Sequence, residues 1–450
     1  MITYIAFLCG AGVACSCLGL AAQGRVRQTT LSSLYPILLV GLAVFMWSVS
    51  DPPELFSDFT QAYYPAGHAI VQDVSRLYDR PPGCDEGAVC GFVNIPLIAL
   101  IFAPLSVLKL GQAQAAFAIF SLLCIGASLY GLIVLTAATG WRRWALATLF
   151  VMNGPLLYSF REGNLTHVAL FLIVLACICF ERDQDIWVGV LVACAAVIKL
   201  PLGLLIVYFL LKGRLRIVAG VGLAVFAILG ASVLWSGWES HVTWYRESVL
   251  PFSSKSLAAF NVQSIDGFLL RLPPDAPLYS WTPIHVESGL RLVRTLLIGS
   301  LLLVSVLILK GGASGDVRSN FYLDLSIVLC LALIISPISW THYYLFLLVP
   351  FSIYWGGKFP LQPSMKVSVG MAACILLCSP PVVFLNLSWA GAVGRIIISH
   401  YLVGAVLLWG LLCMTKRLAT QPGLHAVRGL PISCCGTIDS QKVIGKLLRS

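Results

Sequence analysis

Charge is what this chain has least of. Only 11% of its 450 residues are Asp, Glu, Lys or Arg, where a soluble protein carries roughly a quarter. So few charges cannot cover a water-soluble fold of this length, and a mean hydropathy of +0.91 agrees. Alternation of apolar and polar residues is missing too. Apolar residues come instead in unbroken runs of about twenty, which excludes a transmembrane barrel. The first run, 2–22, has no basic segment ahead of it, while Arg25 and Arg27 follow it. It reads as a retained helix with its N-terminus outside, not as a secretory signal. No glycine-rich phosphate cradle is present, because Gly220-Val221-Gly222 opens an apolar run. Zinc-type spacing is absent as well. Most of the 15 cysteines lie inside apolar runs, where they act as small hydrophobes, and Cys434-Cys435 have no partners at ligand spacing. No internal repeat is visible. The formal net charge of +10 is scattered over loops, which leaves no basic face for nucleic acid.

What is there is an all-α polytopic membrane protein. Apolar runs place spans at 2–22, 31–50, 92–109, 113–137, 144–159, 165–181, 186–211, 217–236, 289–309, 322–340, 343–356, 367–385 and 392–414, about thirteen crossings. Basic clusters at Arg25 and Arg27, Lys212 to Arg216, Lys310 to Arg318, and Lys416-Arg417 mark the cytoplasmic side. The middle fits less well. Runs 144–159 and 165–181 are short, and Trp141-Arg142-Arg143-Trp144 would fall outside against the charge rule, so a tilted or re-entrant element there stays open. By this map the chain divides into an extra helix with a basic loop (1–30), a main membrane body (31–414) and a basic tail (415–450). The tail carries a short amphipathic stretch at Val443 to Leu448.

Two connections are large, 51–91 and 237–288, and both lie on the non-cytoplasmic side. Within the first, Tyr63, Tyr64, Ala66, Ile70, Val74 and Leu77 recur at helical spacing. They read as one or two helices along the membrane interface, ended by Pro81-Pro82-Gly83. Cys84 and Cys90 sit in the same loop, and a disulfide between them depends on an oxidising compartment. Asp79, Asp85 and Glu86 are dispersed without a ligand ladder, so they read as solvated carboxylates and no metal is expected. Asp58 stands apart. It lies where the run 31–50 emerges into water, placed to act as a base at the membrane surface; from position alone the ordinary solvated loop carboxylate is the favoured reading.

Six stretches, in order, carry a resemblance. Ser57-Asp58-Phe59 leads into Tyr63-Tyr64-Pro65-Ala66-Gly67 and Leu77-Tyr78-Asp79. Asn94-Ile95-Pro96 with Ala103-Pro104-Leu105 follows, then Glu162-Gly163-Asn164 and Ile198-Lys199-Leu200-Pro201. Phe260-Asn261-Val262-Gln263-Ser264 with Gly267 and Arg271 comes next, and Ser336-Pro337-Ile338-Ser339-Trp340-Thr341-His342 closes the set. Together, over roughly residues 30 to 415, they resemble the GT-C glycosyltransferases, and more specifically the polyprenol-phosphate-mannose-dependent α-(1→2)-mannosyltransferases of glycosyltransferase family 87. Three positions depart from that pattern: Asn164 stands where the family more often has Gln, Val262 interrupts Asn-Gln-Ser, and Thr341 replaces a common Asp. The departures leave the reaction class intact and the sugar and linkage open.

The resemblance implies a GT-C-type fold of about 11–13 transmembrane helices with two large outer loops. It implies transfer of a hexose, by family expectation mannose, from a polyprenyl-phosphate donor to a glycolipid or glycan acceptor. The site would lie at the outer face of the plasma (inner) membrane, and the reaction would be inverting, with Asp58 as base. Such chemistry needs a carboxylate at the acceptor hydroxyl and positive or donor groups at the departing phosphate. His342, Arg271, Lys199 and Arg161 are the candidates for the phosphate. Lys199 lies inside a span, which is costly unless it is paired or wetted. Tyr63, Tyr64, Asn261, Gln263, Ser264 and Trp340 suit sugar or acceptor hydroxyls, although interfacial aromatics and turn-forming polar residues need no such role. The lipid-linked sugar is a substrate, the bilayer a partner, and neither cofactor nor metal is called for. The competing reading is a secondary transporter or a lipid-linked sugar flippase. That reading expects paired polar residues near midplane, where Lys199 is nearly alone.

Overall fold

The computed structural model describes residues 2–24, 26, 28–49, 55–84, 87–311, 316–360, 364–381 and 391–420. The readings made for 421–450, with Cys434, Cys435 and the 443–448 stretch, and for Asp85 and Glu86, lie outside the described residues. The chain is helical almost throughout, as a chain whose backbone polar groups must be satisfied within lipid has to be. Its helices are α1 (Ile2–Ala22), α2 (Gln28–Val49), α3 (Tyr64–Gln72), α4 (Pro96–Ser106), α5 (Leu110–Thr136), α6 (Trp141–Val151), α7 (Gly154–Glu162), α8 (Thr166–Glu181) and α9 (Asp185–Ile198). They continue with α10 (Leu204–Leu211), α11 (Leu215–Trp244), α12 (Ile265–Arg271), α13 (Ser288–Lys310), α14 (Val317–Ile335), α15 (Leu348–Trp355), α16 (Met365–Cys378), α17 (Gly391–Ile398) and α18 (His400–Ala419). Among the described residues, strand pairing is confined to Lys255–Ser256 against Ile284–His285 and to one antiparallel bridge between Val262 and Trp340.

Six helical stretches are long and apolar enough to cross a membrane alone: Thr30–Ser48, Leu110–Thr136, Leu215–Ser253, Ser288–Lys310, Val317–Ile335 and His400–Ala419. Shorter apolar helices, among them Thr166–Glu181, Asp185–Ile198 and Met365–Cys378, accompany them. One end gathers the basic loops. There Lys212 and Lys416 each reach the buried Asp324 at 2.9 Å, and Arg318 pairs with Glu181 at 3.1 Å and Asp183 at 3.4 Å. At the centre α14 is buried from Phe321 to Ile334, the mark of a helix surrounded on all sides.

Several expected spans come out differently. The run 92–109 does not cross. Its helix α4 opens at Pro96 and lies against α3, where Tyr64 Oη donates to the Leu108 carbonyl at 2.8 Å. Gly67 admits this approach, since a Cβ there would stand 2.7 Å from the Phe102 carbonyl oxygen. The run 186–211 is two passes and not one, because the helix breaks at Lys199 (φ −136°, ψ 97°) ahead of Pro201. Proline cannot donate into the preceding turn and clashes with it. The run 322–340 stops as a helix at Ile335, before Pro337. The run 217–236 continues to Trp244 through a kink at Gly237, whose φ is 76°. With α4 at one end, α5 returns to the basic end. The Trp144 ring there lies 5.7 Å from that of Tyr35, near the start of α2, so Trp141 to Trp144 sit with the other basic loops and the conflict with the charge rule disappears.

Candidate active site

The end of the bundle opposite the basic loops holds a cleft of about 1120 Å³. Its lining includes Asp58, Tyr63, Lys199, Asn261, Trp340 and His342, joining both large connections to the break in 186–211. Each piece is fixed by local chemistry. α7 begins with Asn153 accepting from the Leu156 amide at 2.8 Å and ends at Gly163 in the left-handed region, φ 70°. A Cβ at Gly163 would stand 2.7 Å from the Phe56 ring, so only glycine lets the 55–59 segment close over the end of α7. That closure brings Ser57 Oγ to donate to Glu162 Oε2 at 2.5 Å and sets Asp58 beside it.

The far wall is a two-stranded seam. The Gln263 amide donates to the Ser339 carbonyl at 2.6 Å and the Thr341 amide to the Asn261 carbonyl at 2.8 Å. Two motifs separated by some seventy residues are thereby zipped together, and His342 emerges next to the cleft. His342 is 7% exposed, and neither of its ring nitrogens has a hydrogen-bond partner among the described residues. Its ring lies 6.0 Å from Tyr158 and 5.0 Å from Tyr343. The Lys199 ammonium stands 4.8 Å over the Tyr343 ring. Buried polar groups without protein partners await a ligand or water.

Asp58 is partly buried. Desolvation pushes its carboxyl above the usual carboxylate range, while the Lys199 charge favours the ionised form. Glu162, just past the 144–159 run, is raised as well, by burial first and then by the Asp58 charge. A carboxylate with raised basicity, opposite an ammonium and an unpartnered imidazole, can take a proton from a hydroxyl and face an anionic leaving group.

Other expected residues lie elsewhere. The phosphate role expected of Arg271 does not suit its place. It is fully buried away from the cleft, donating to the Ala259 carbonyl at 2.9 Å, the Val262 carbonyl at 2.6 Å and Ser399 Oγ at 2.8 Å. Gln263 ties the Phe260 and Ile398 carbonyls, both at 2.8 Å. Ser264 caps α12 through the Gly267 amide at 3.2 Å. Tyr64 is spent on Leu108, and Arg161 stacks 4.5 Å over the Trp47 ring. These side chains hold the cleft walls in shape and do not line it. Glu162, Tyr158 and Tyr343, which do line it, were given no role from sequence. The Glu162-Gly163-Asn164 motif was the available signal for the first. Cys84 and Cys90 form a disulfide on the cleft rim.

The fold and this cleft define a polytopic helical membrane protein with an acid, an ammonium and an imidazole gathered at one end of the bundle. The sequence model of glycosyltransferase family 87 matches residues 92–337, more than half of the chain, and the chain belongs to that family. It is similar to the polyprenol-phosphate-mannose-dependent α-(1-2)-phosphatidylinositol mannoside mannosyltransferases of Mycobacterium tuberculosis, 27% identical over 57% of this chain and 60% of the relative, and of Mycolicibacterium smegmatis, 25% identical over the same shares. The alignment thus spans less than two thirds of these relatives' length. No solved structure matches the chain.

Proposed function

We propose that this protein transfers mannose from a polyprenyl-phosphate donor to a mannosylated inositol phospholipid or a related glycolipid, with inversion, in a cleft on the extracytoplasmic face of the plasma membrane. The observation that carries the reading is the convergence of Asp58, Lys199 and His342 in one cleft from three distant chain segments. The family membership and the names of the relatives support the donor and acceptor classes. The positive-inside rule supports the face, because the basic loops lie at the opposite end.

The acceptor hydroxyl attacks the anomeric carbon and gives its proton to Asp58. The bond from that carbon to the phosphate oxygen breaks, and the electron pair leaves with the phosphate. Lys199 and His342 meet this anion; a monophosphate leaving group needs no proton, and the reaction as proposed uses no metal. Apolar lining at Ile198, Leu200, Pro201, Leu204, Ala332 and Ile335 continues from Lys199 down the bundle and suits a prenyl chain. Asn261, Trp281 and Trp340 face the same space; the Trp281 indole donates to Asn261 Oδ1 at 3.1 Å, which fixes the amide for a sugar hydroxyl.

Binding of polyprenyl phosphate to protein in nanodiscs tests the phosphate contacts. Lys199→Met and His342→Ala should each weaken it about ten- to a hundredfold, the worth of one charge-assisted hydrogen bond. Binding that ignores both changes would clear these residues of the role.

A further inference from the structure

The reaction above uses one carboxylate, yet the cleft holds two. We propose that Glu162 is a positioning residue that carries the resting proton of the site, so that Lys199 is left to hold Asp58 ionised and the cleft receives an anionic donor without a second negative charge. The proposal rests on the reading of Asp58 as base. Among the described residues lining the cleft, Asp58 and Glu162 are the carboxylates and Lys199 the ammonium. Two acids against one cation, both withdrawn from water, do not ionise together at small cost.

The surroundings decide which acid keeps the proton. The Lys199 charge acts on Asp58. Glu162 is 8% exposed and meets Ser57, the Tyr158 hydroxyl and the Asp58 charge. The cation beside it in sequence, Arg161, is turned toward Trp47, with its guanidinium 4.5 Å over the indole and Nη1 donating to the Trp47 carbonyl at 3.2 Å. Tyr63 and Tyr343 also face Asp58, and His342 lies near Lys199. Burial and the Asp58 charge raise Glu162, and Ser57, Tyr158 and Arg161 offset only part of that. Once Glu162 ionises as pH rises, the cleft turns more negative and the donor phosphate is repelled. Glutamine copies the protonated acid and cannot ionise.

Two measurements test this. In the first, kcat/KM for the polyprenyl-phosphate donor is followed against pH. Glu162→Gln should keep the acidic limb set by Asp58. Its basic limb should move to higher pH, because the group whose ionisation sets that limb is gone. A uniform loss at every pH, or an unmoved basic limb, would overturn the proposal. In the second, infrared titration without any donor reads buried protonated carboxyl groups directly. A protonated band at neutral pH should vanish in Glu162→Gln, titrate at lower pH in Asp58→Asn, which removes the charge that raises Glu162, and titrate at higher pH in Ser57→Ala, which removes a donor to the ionised form. A band untouched by Glu162→Gln would contradict the assignment. Should the band behave as expected while Asp58→Asn still turns over, the base reading falls and the proton assignment stands.

Discussion

Arg271 and Lys199 show how differently two buried cations in one protein are used. Arg271 has its guanidinium filled by protein acceptors and lies off the cleft, whereas Lys199 faces the cleft over an aromatic ring. Arg271→Met should therefore act on stability and not on ligand. It strips donors from buried carbonyls and should cost about 3 kcal/mol or more. A lowered thermal midpoint with unchanged polyprenyl-phosphate affinity in the folded fraction is the expected result. Weakened binding at full stability would return Arg271 to the phosphate. Sequence does not separate the two cations, because each is a basic residue within a family-like motif; the packing of the 257–271 segment against Ser399 distinguishes them.

At the scale of elements, the site depends on breaks in helices more than on helices. The stop at Lys199, the left-handed end of α7 at Gly163 and the extended 336–340 segment each deliver a side chain to the cleft. Proline and glycine signals make such breaks legible, and the motifs Ile198 to Pro201, Glu162 to Asn164 and Ser336 to His342 all carry one. What run length does not reveal is direction. An apolar run of eighteen residues such as 92–109 looks like a crossing whether it spans the bundle or, as α4 does, lies beside α3. The break within 186–211 likewise turns one apparent span into two. Gly163→Ala probes the tightest of these joints. A left-handed non-glycine residue costs about 1–2 kcal/mol, and the new methyl would press on Phe56 and Phe59. The variant should lose thermal stability and lose turnover further than stability alone accounts for, since Ser57 and Asp58 ride on the displaced segment. Normal turnover by Gly163→Ala would remove the argument that this closure positions the base.

For the whole molecule, the two ends are chemically unlike. The short basic loops with their buried ion pairs lie at one, and the polar cleft opens at the other. That asymmetry suits an enzyme working at one membrane surface better than a carrier with its site at midplane. Trp141 to Trp144 belong to the basic end in this arrangement. A cysteine at exposed position 142, in a background free of reactive thiols, should thus react with an impermeant reagent only from the cytoplasmic side. Labelling from outside would restore the simple count of crossings and displace α6 and α7 from the site.

The proposed reaction is transfer from a lipid phosphate with Asp58 as the base. The direct test is turnover of radiolabelled polyprenyl-phosphate mannose by the full chain in proteoliposomes supplied with mannosylated inositol phospholipid. The wild type should yield a glycolipid product, and Asp58→Asn should lose about a hundredfold or more of turnover with donor binding nearly intact. No product from a wild type that binds the donor, or near-normal turnover by a well-folded Asp58→Asn variant, would contradict it.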